Sequence, residues 1–140
     1  MLPKPLFPQT NYSTDFYKIE IDPATGLLLT EWQRPVNKEE LIAGGTNLYE
    51  ALRETGITRV VANAERMSIL DASAKEWLST TFYELLSQTS LQKLARVLPS
   101  SLFAKLALEA VATRAEAQSI NKFQFKNFSS QREALLWVQE

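Results

Sequence analysis

Residues 57–78 read ITRVVANAERMSILDASAKEWL, and this stretch decides the fold. The apolar run Val60, Val61 and Ala62 leads through Asn63 and Ala64 to the pair Ile69 and Leu70, and then directly to Asp71. Asp71 stands where a helix N-cap belongs. Behind it the spacing turns helical, at Trp77, Leu78, Phe82, Leu85 and Leu86. A strand, a loop and a capped helix are half of an α/β unit. Ligands of open α/β sheets bind outside the carboxyl ends of the strands, so the loop between Asn63 and Asp71 is the expected place for a site.

Working outward, the chain of 140 residues suits one domain with a single core. A hydrophobic fraction of 45% and a charged fraction of 22% match a globular protein. There is no cysteine, which excludes disulfides, thiol catalysis and zinc–thiolate sites. There is no histidine either, which removes the usual general base near neutral pH and the commonest metal ligand. A Ser–His–Asp triad and a histidine-based metal hydrolase are therefore out of reach. We expect no catalysis and no cofactor or metal. A net charge of −1 offers no bulk attraction for nucleic acid or a membrane surface. The charge is unevenly spread: residues 15–84 hold twelve acidic against seven basic side chains, and residues 93–126 six basic against two acidic. Ordinary scatter over solvated faces accounts for this. The alternative is a mildly basic second half that meets an acidic partner or another copy's first half.

No segment approaches the roughly 20 apolar residues that span a bilayer, so no integral membrane segment is expected. Prolines 3, 5 and 8 interrupt any signal-like apolar run, and the reading is a cytoplasmic protein. Residues 1–14 read as an extended arm, followed by a single α/β domain over 15–140.

Within that domain, residues 15–21 (DFYKIEI) alternate as a half-buried strand does. Asp22-Pro23-Ala24-Thr25-Gly26 is a turn, and residues 27–34 supply the second strand of an antiparallel hairpin. Asn37 with Glu40 forms a capping box for a helix that Gly56 ends. Gly44 and Gly45 fall inside this helix, which predicts close packing onto the sheet or a kink. A phosphate loop would need glycines between a strand and a helix. Further elements follow: a helix from 71 to about 88, a strand over 92–98, an alanine-rich helix over 102–117, a strand over 120–128 and a last helix capped by Ser129 or Ser130. The expectation is a mixed sheet of about five strands with about four helices.

At this point the chain resembles the STAS domain family (sulfate transporter and anti-sigma-factor antagonist), in particular its bacterial SpoIIAA-like group, sometimes placed with lipid-transfer-like domains. The resemblance is carried by Arg59-Val60-Val61-Ala62-Asn63, by Met67-Ser68-Ile69-Leu70-Asp71-Ala72-Ser73, and by the closing FKNFSSQREALLWV. It implies a regulatory module that works through protein contacts. In the anti-sigma antagonists the serine directly after the aspartate is phosphorylated; here that position is Ala72, so the resemblance implies that this switch is lost. Ser73 keeps a hydroxyl one residue later, where stabilising the first helical turn is its expected role, with phosphorylation as the alternative.

The remaining candidates are contacts rather than catalysts. Asp71 reads as a cap, since helix-start N–H groups would lower its pKa rather than raise it to that of a base. Glu65 and Arg66, with Asp71, are expected to form a small polar cluster at the carboxyl ends of the strands. Trp32, Trp77, Phe82, Tyr83, Phe103 and Trp137 serve a core or line an apolar pocket. On the helix over 102–117, Leu102, Phe103, Leu106, Ala107, Ala110 and Val111 form a broad apolar face. It packs on its own sheet, on a second subunit or on a lipid-like ligand. The leading reading is a non-catalytic STAS-like interaction module, a homodimer with an unidentified protein partner. The alternative is a module that binds an apolar small molecule or lipid under the helix 102–117.

Overall fold

The alternation of residues 17–22 and the apolar runs at 27–32 and 59–63 all become strands of one sheet. The structure is a computed structural model that describes residues 9–117 and 122–140, without the side chains of Phe103, Ala107 and residues 112–117. Its elements are β1 (Gln9–Ser13), β2 (Tyr17–Asp22), β3 (Leu27–Trp32), α1 (Lys38–Thr55), β4 (Arg59–Asn63), α2 (Ala72–Trp77), a π-helical turn (Leu78–Phe82), α3 (Tyr83–Ser87), β5 (Lys93–Val97), α4 (Leu102–Ala117), β6 (Gln124–Phe128) and α5 (Gln131–Val138). The sheet has six strands in the order β1-β2-β3-β4-β5-β6. β1 and β2, and β2 and β3, pair antiparallel, whereas β3 to β6 run parallel.

The expected mixed sheet with its N-terminal hairpin is therefore present, with one strand more than expected. The extra strand is β1, drawn from residues read as an arm; it pairs with β2 through a bulge between Thr10 and Tyr12. Pairing with an edge strand needs only backbone groups, so a polar stretch such as Gln9–Ser13 joins a sheet without showing the apolar alternation of a core strand. Residues 1–8 of the expected arm lie outside the described residues.

Strand order explains where the helices lie. From β3 to β6 each strand adds to the same side of its predecessor, and right-handed crossovers stepping one way put their helices on one face. Leu41, Leu48 and Leu52 of α1, Ala74 of α2, Tyr83 and Leu86 of α3, and Leu108 and Val111 of α4 accordingly share one core with Leu28, Val60 and Leu94. Helix α5 follows the last strand and returns under the opposite face, where Ala134 and Val138 pack on Leu27, Val61, Ala95 and Val97. Val60 and Val61 thus serve different cores, as adjacent residues of a strand covered on both faces must.

The helix starts follow the sequence closely. Asn37 accepts from Glu40 N at 2.8 Å, and Glu40 Oε1 accepts from Asn37 N at 3.1 Å, closing the capping box. Gly56, at φ 69°, ends α1 in the left-handed region. The paired glycines of α1 give close approach, as expected. A methyl on Gly44 would lie 2.6 Å from Trp32 Cη2 and 2.9 Å from Tyr17 Cδ2, and one on Gly45 would lie 2.7 Å from Trp77 Cη2.

The helix expected over 71–88 is interrupted by the π-helical turn. Its cause is local: Ser79 Oγ and Thr80 Oγ1 both donate to the Glu76 carbonyl, at 3.3 and 2.7 Å. Such back-bonding competes with the helical ladder and loosens it. Leu78 and Phe82, at the two ends of this turn, line the internal space described below.

Candidate functional site

The carboxyl ends of β4, β5 and β6 do form a cleft, of about 220 Å³, lined by Glu65, Leu98, Pro99, Ser100, Lys105 and Ser129. Asn63, the last residue of β4, holds Glu65 beside it. Asn63 Nδ2 donates to Glu65 Oε1 at 2.9 Å and to Gln131 Oε1 at 2.7 Å, and Glu65 N donates to Asn63 Oδ1 at 2.9 Å. The side chain of Glu65 is thereby occupied in tying the β4 loop to the start of α5. This is not a switch-point crevice, because the strand order never reverses among the parallel strands.

Glu65 and Asp71 of the expected polar cluster make separate hydrogen bonds. Among the described residues, no hydrogen bond or ion pair joins Glu65, Arg66 and Asp71. Asp71 Oδ1 accepts from Ala74 N at 2.7 Å, as the cap of α2. Arg66 is exposed in the loop. Ser73, in the first turn of α2, is also exposed, and its Oγ lies 2.5 Å from Lys38 Nζ at the start of α1.

Helix α4 departs from expectation more sharply. Its buried face is Ala104, Leu108 and Val111, whereas Leu102 and Leu106 are 63% and 50% exposed and Ala110 is exposed. Of the face read as Leu102, Phe103, Leu106, Ala107, Ala110 and Val111, Leu102, Leu106 and Ala110 thus point outward and Val111 inward. Apolar residues occur nearly all round this helix, so periodicity could not choose between the two faces. Phe103 and Ala107, read as part of the same face, lie outside the described side chains.

A second space lies inside the molecule, between the sheet, α1, the π-helical turn and α4. It is a cavity of about 50 Å³. Among the described side chains of α4 it takes Leu108, and not Leu106 or Val111. Three cavity residues form one row across the sheet: Thr30 of β3 pairs with Ala62 of β4, which pairs with Arg96 of β5. Thr30 and Arg96 are 3% and 7% exposed. Arg96 Nε donates to Asn127 Oδ1 at 3.1 Å and Nη2 to the Leu108 carbonyl at 2.7 Å, while Cζ lies 4.7 Å from the centre of the Phe125 ring. Burial holds the Arg96 pKa below the ordinary guanidinium range, with Tyr83 and Glu109 opposing the shift. Burial likewise pushes the Tyr17 phenol up. The Tyr17 hydroxyl is near enough to Thr30 to feel it, yet Thr30 Oγ1 is buried without a hydrogen-bond partner.

Sequence reasoning missed this row. Arg96 stands in an otherwise apolar strand, QKLARVL, which is a visible anomaly. Its alignment with Thr30, 66 positions earlier, depends on strand register and has no local signal. Among the described residues no group of three His, Cys, Asp or Glu side chains is placed to hold a metal. No described helix is long and apolar enough to cross a membrane.

Comparison with known proteins bears on the fold. No protein-family model matches the chain, and no curated protein does. Among solved structures, the chain is similar to an uncharacterized protein of the DUF3478 family from Shewanella loihica PV-4, described as having a SpoIIAA-like fold. The TM-score is 0.53 at 19% identity, over 95% of this chain and 93% of that one. The chain therefore has a STAS/SpoIIAA-like fold.

Proposed function

We propose that the chain is a non-catalytic, regulatory interaction module that acts through protein contacts, first of all with a second copy of itself. The observation that carries this reading is the outer row of α4. Leu102 and Leu106, with Ala110, stand one turn apart and face solvent, although the same helix already buries Ala104, Leu108 and Val111 inside. Exposed leucines spaced four apart are the pattern of a helix that meets another helix. A two-fold pairing of such a row is self-complementary, and a net charge of −1 opposes it little. Lack of a hydroxyl at position 72 supports a module regulated by something other than the phosphoserine of the anti-sigma antagonists, and the cytoplasm is its proposed compartment.

Sedimentation of the full chain tests this reading. The wild type is expected to be a dimer in the micromolar range, and Leu106→Glu a monomer that still unfolds cooperatively, since Leu106 is 50% exposed and outside the core. A wild type that stays monomeric at high micromolar concentration overturns the homodimer.

A second reading, a small-molecule site, is favoured by the internal cavity, whose lining is apart from Thr30 and Arg96 mostly apolar and aromatic.

A further inference from the structure

We infer that the internal cavity is a binding site for a small organic monoacid, with Arg96 as the counter-ion of its carboxylate and Thr30 as a hydroxyl partner. This rests on the small-molecule reading and adds the charge and size of the ligand.

The row Thr30–Ala62–Arg96 sets the site. The two polar residues stand on strands two apart, about 10 Å between their backbones, and the small side chain of Ala62 leaves the floor between them open. Among the described residues Arg96 is the only charged side chain of the lining, which contains no described aspartate or glutamate. The groups that hold it are a neutral amide, a backbone carbonyl and a ring face. Glu109, whose charge also acts on Arg96, lines the surface cleft beside Asn127 and not the cavity. A buried cation answered largely by neutral groups is costly, and a carboxylate arriving from the cavity side supplies the opposite charge where the local dielectric is low. It also forms charge-assisted hydrogen bonds. At the other end of the row Thr30 offers a buried hydroxyl that makes no hydrogen bond to the described residues and has only the nearby Tyr17 hydroxyl as a weak neighbour.

Size limits the ligand. One water needs about 10–15 Å³ measured this way, so a cavity of about 50 Å³ takes three to five water-sized groups. Acetate and propionate fit that limit. The aromatic and aliphatic walls, Trp32 and Leu108 among them, suit the methyl or ethyl end.

The experiment titrates the full chain with propionate and with 1-propanol, a neutral ligand of nearly the same shape, at constant ionic strength. Binding is read by saturation-transfer NMR and by melting temperature. Propionate is expected to bind saturably and to raise the melting temperature, with propanol about tenfold or more weaker, as loss of a charge-assisted hydrogen bond implies. Arg96→Met is expected to abolish the preference for the acid. Should that variant fail to fold, Thr30→Val probes the other end of the row and is expected to weaken propionate alone. Equal binding of acid and alcohol overturns the assignment of Arg96 while leaving an apolar site. Binding of neither, which means a cavity filled by water only, overturns both. Propionate binding that neither variant changes places the acid elsewhere and overturns the inference.

Discussion

Replacing Thr30 by valine should stabilise the protein. Thr30 is 3% exposed and its Oγ1 makes no hydrogen bond to the described residues, so folding strips the hydroxyl of water and returns little. An unsatisfied buried hydroxyl costs about 1–3 kcal/mol. Valine keeps the β-branched shape and volume, so the strand and the walls around it need not move. Valine also suits a pleated, buried strand position as well as threonine does. Only the desolvation cost changes, and the gain should be about 1–2 kcal/mol, toward the low end because the nearby Tyr17 hydroxyl recovers part of it. For a chain of this length that is roughly 3–8 °C in melting temperature. Urea unfolding of Thr30→Val and of the wild type, fitted with a common slope, measures the difference. Thr30→Ala serves as a control: it also removes the hydroxyl but leaves a methyl-sized void, and should be less stable than Thr30→Val. A Thr30→Val protein less stable than wild type would show that the hydroxyl has a firm partner, and the reasoning about the row would fail.

Asp71→Ala should lose about 1 kcal/mol, the worth of its bond to Ala74 N, with self-association unchanged; loss of association at constant stability would make Asp71 a contact residue. Gly44→Ala should destabilise the protein by about 1–2 kcal/mol in chemical unfolding. The added methyl meets two buried rings, an overpacking cost of about 1–3 kcal/mol, against a helix-propensity gain of about 1 kcal/mol. A more stable Gly44→Ala would refute the close-packing account. Arg34 lies 2.6 Å from Glu40 and holds its carboxyl below the ordinary range, helped by the Asn37 N–H. A depressed folded-state pKa gives stability that is present above the unfolded-state value of about 4.3 and is lost as pH falls below it. The stability difference between wild type and Glu40→Gln should therefore shrink on acidification. A difference that is flat through that range would show the ion pair to be idle.

Much of this fold was legible because its signals are local. Asn37 with Glu40, Gly56, Asp71 and Ser130 mark helix ends by chemistry that acts within four residues, and each does so in the structure. The turn at Asp22 and the apolar run at Val60 and Val61 are equally local. The π-helical turn had a local cause too, the hydroxyls of Ser79 and Thr80, but two residues that are common in helices did not stand out against the helical spacing around them.

What only the tertiary structure decided are the relations between elements. Strand β1 needed a partner edge before its polar sequence meant anything. The inner face of α4 was chosen by the π-helical turn and α2 against which it packs, since its own apolar residues surround the helix. Above all, Thr30, Ala62 and Arg96 share a row only because β3, β4 and β5 pair in one register. A shift of one residue would turn each of these side chains to the opposite face, so register, a property of the whole sheet, places the buried cation and the unpartnered hydroxyl in one cavity.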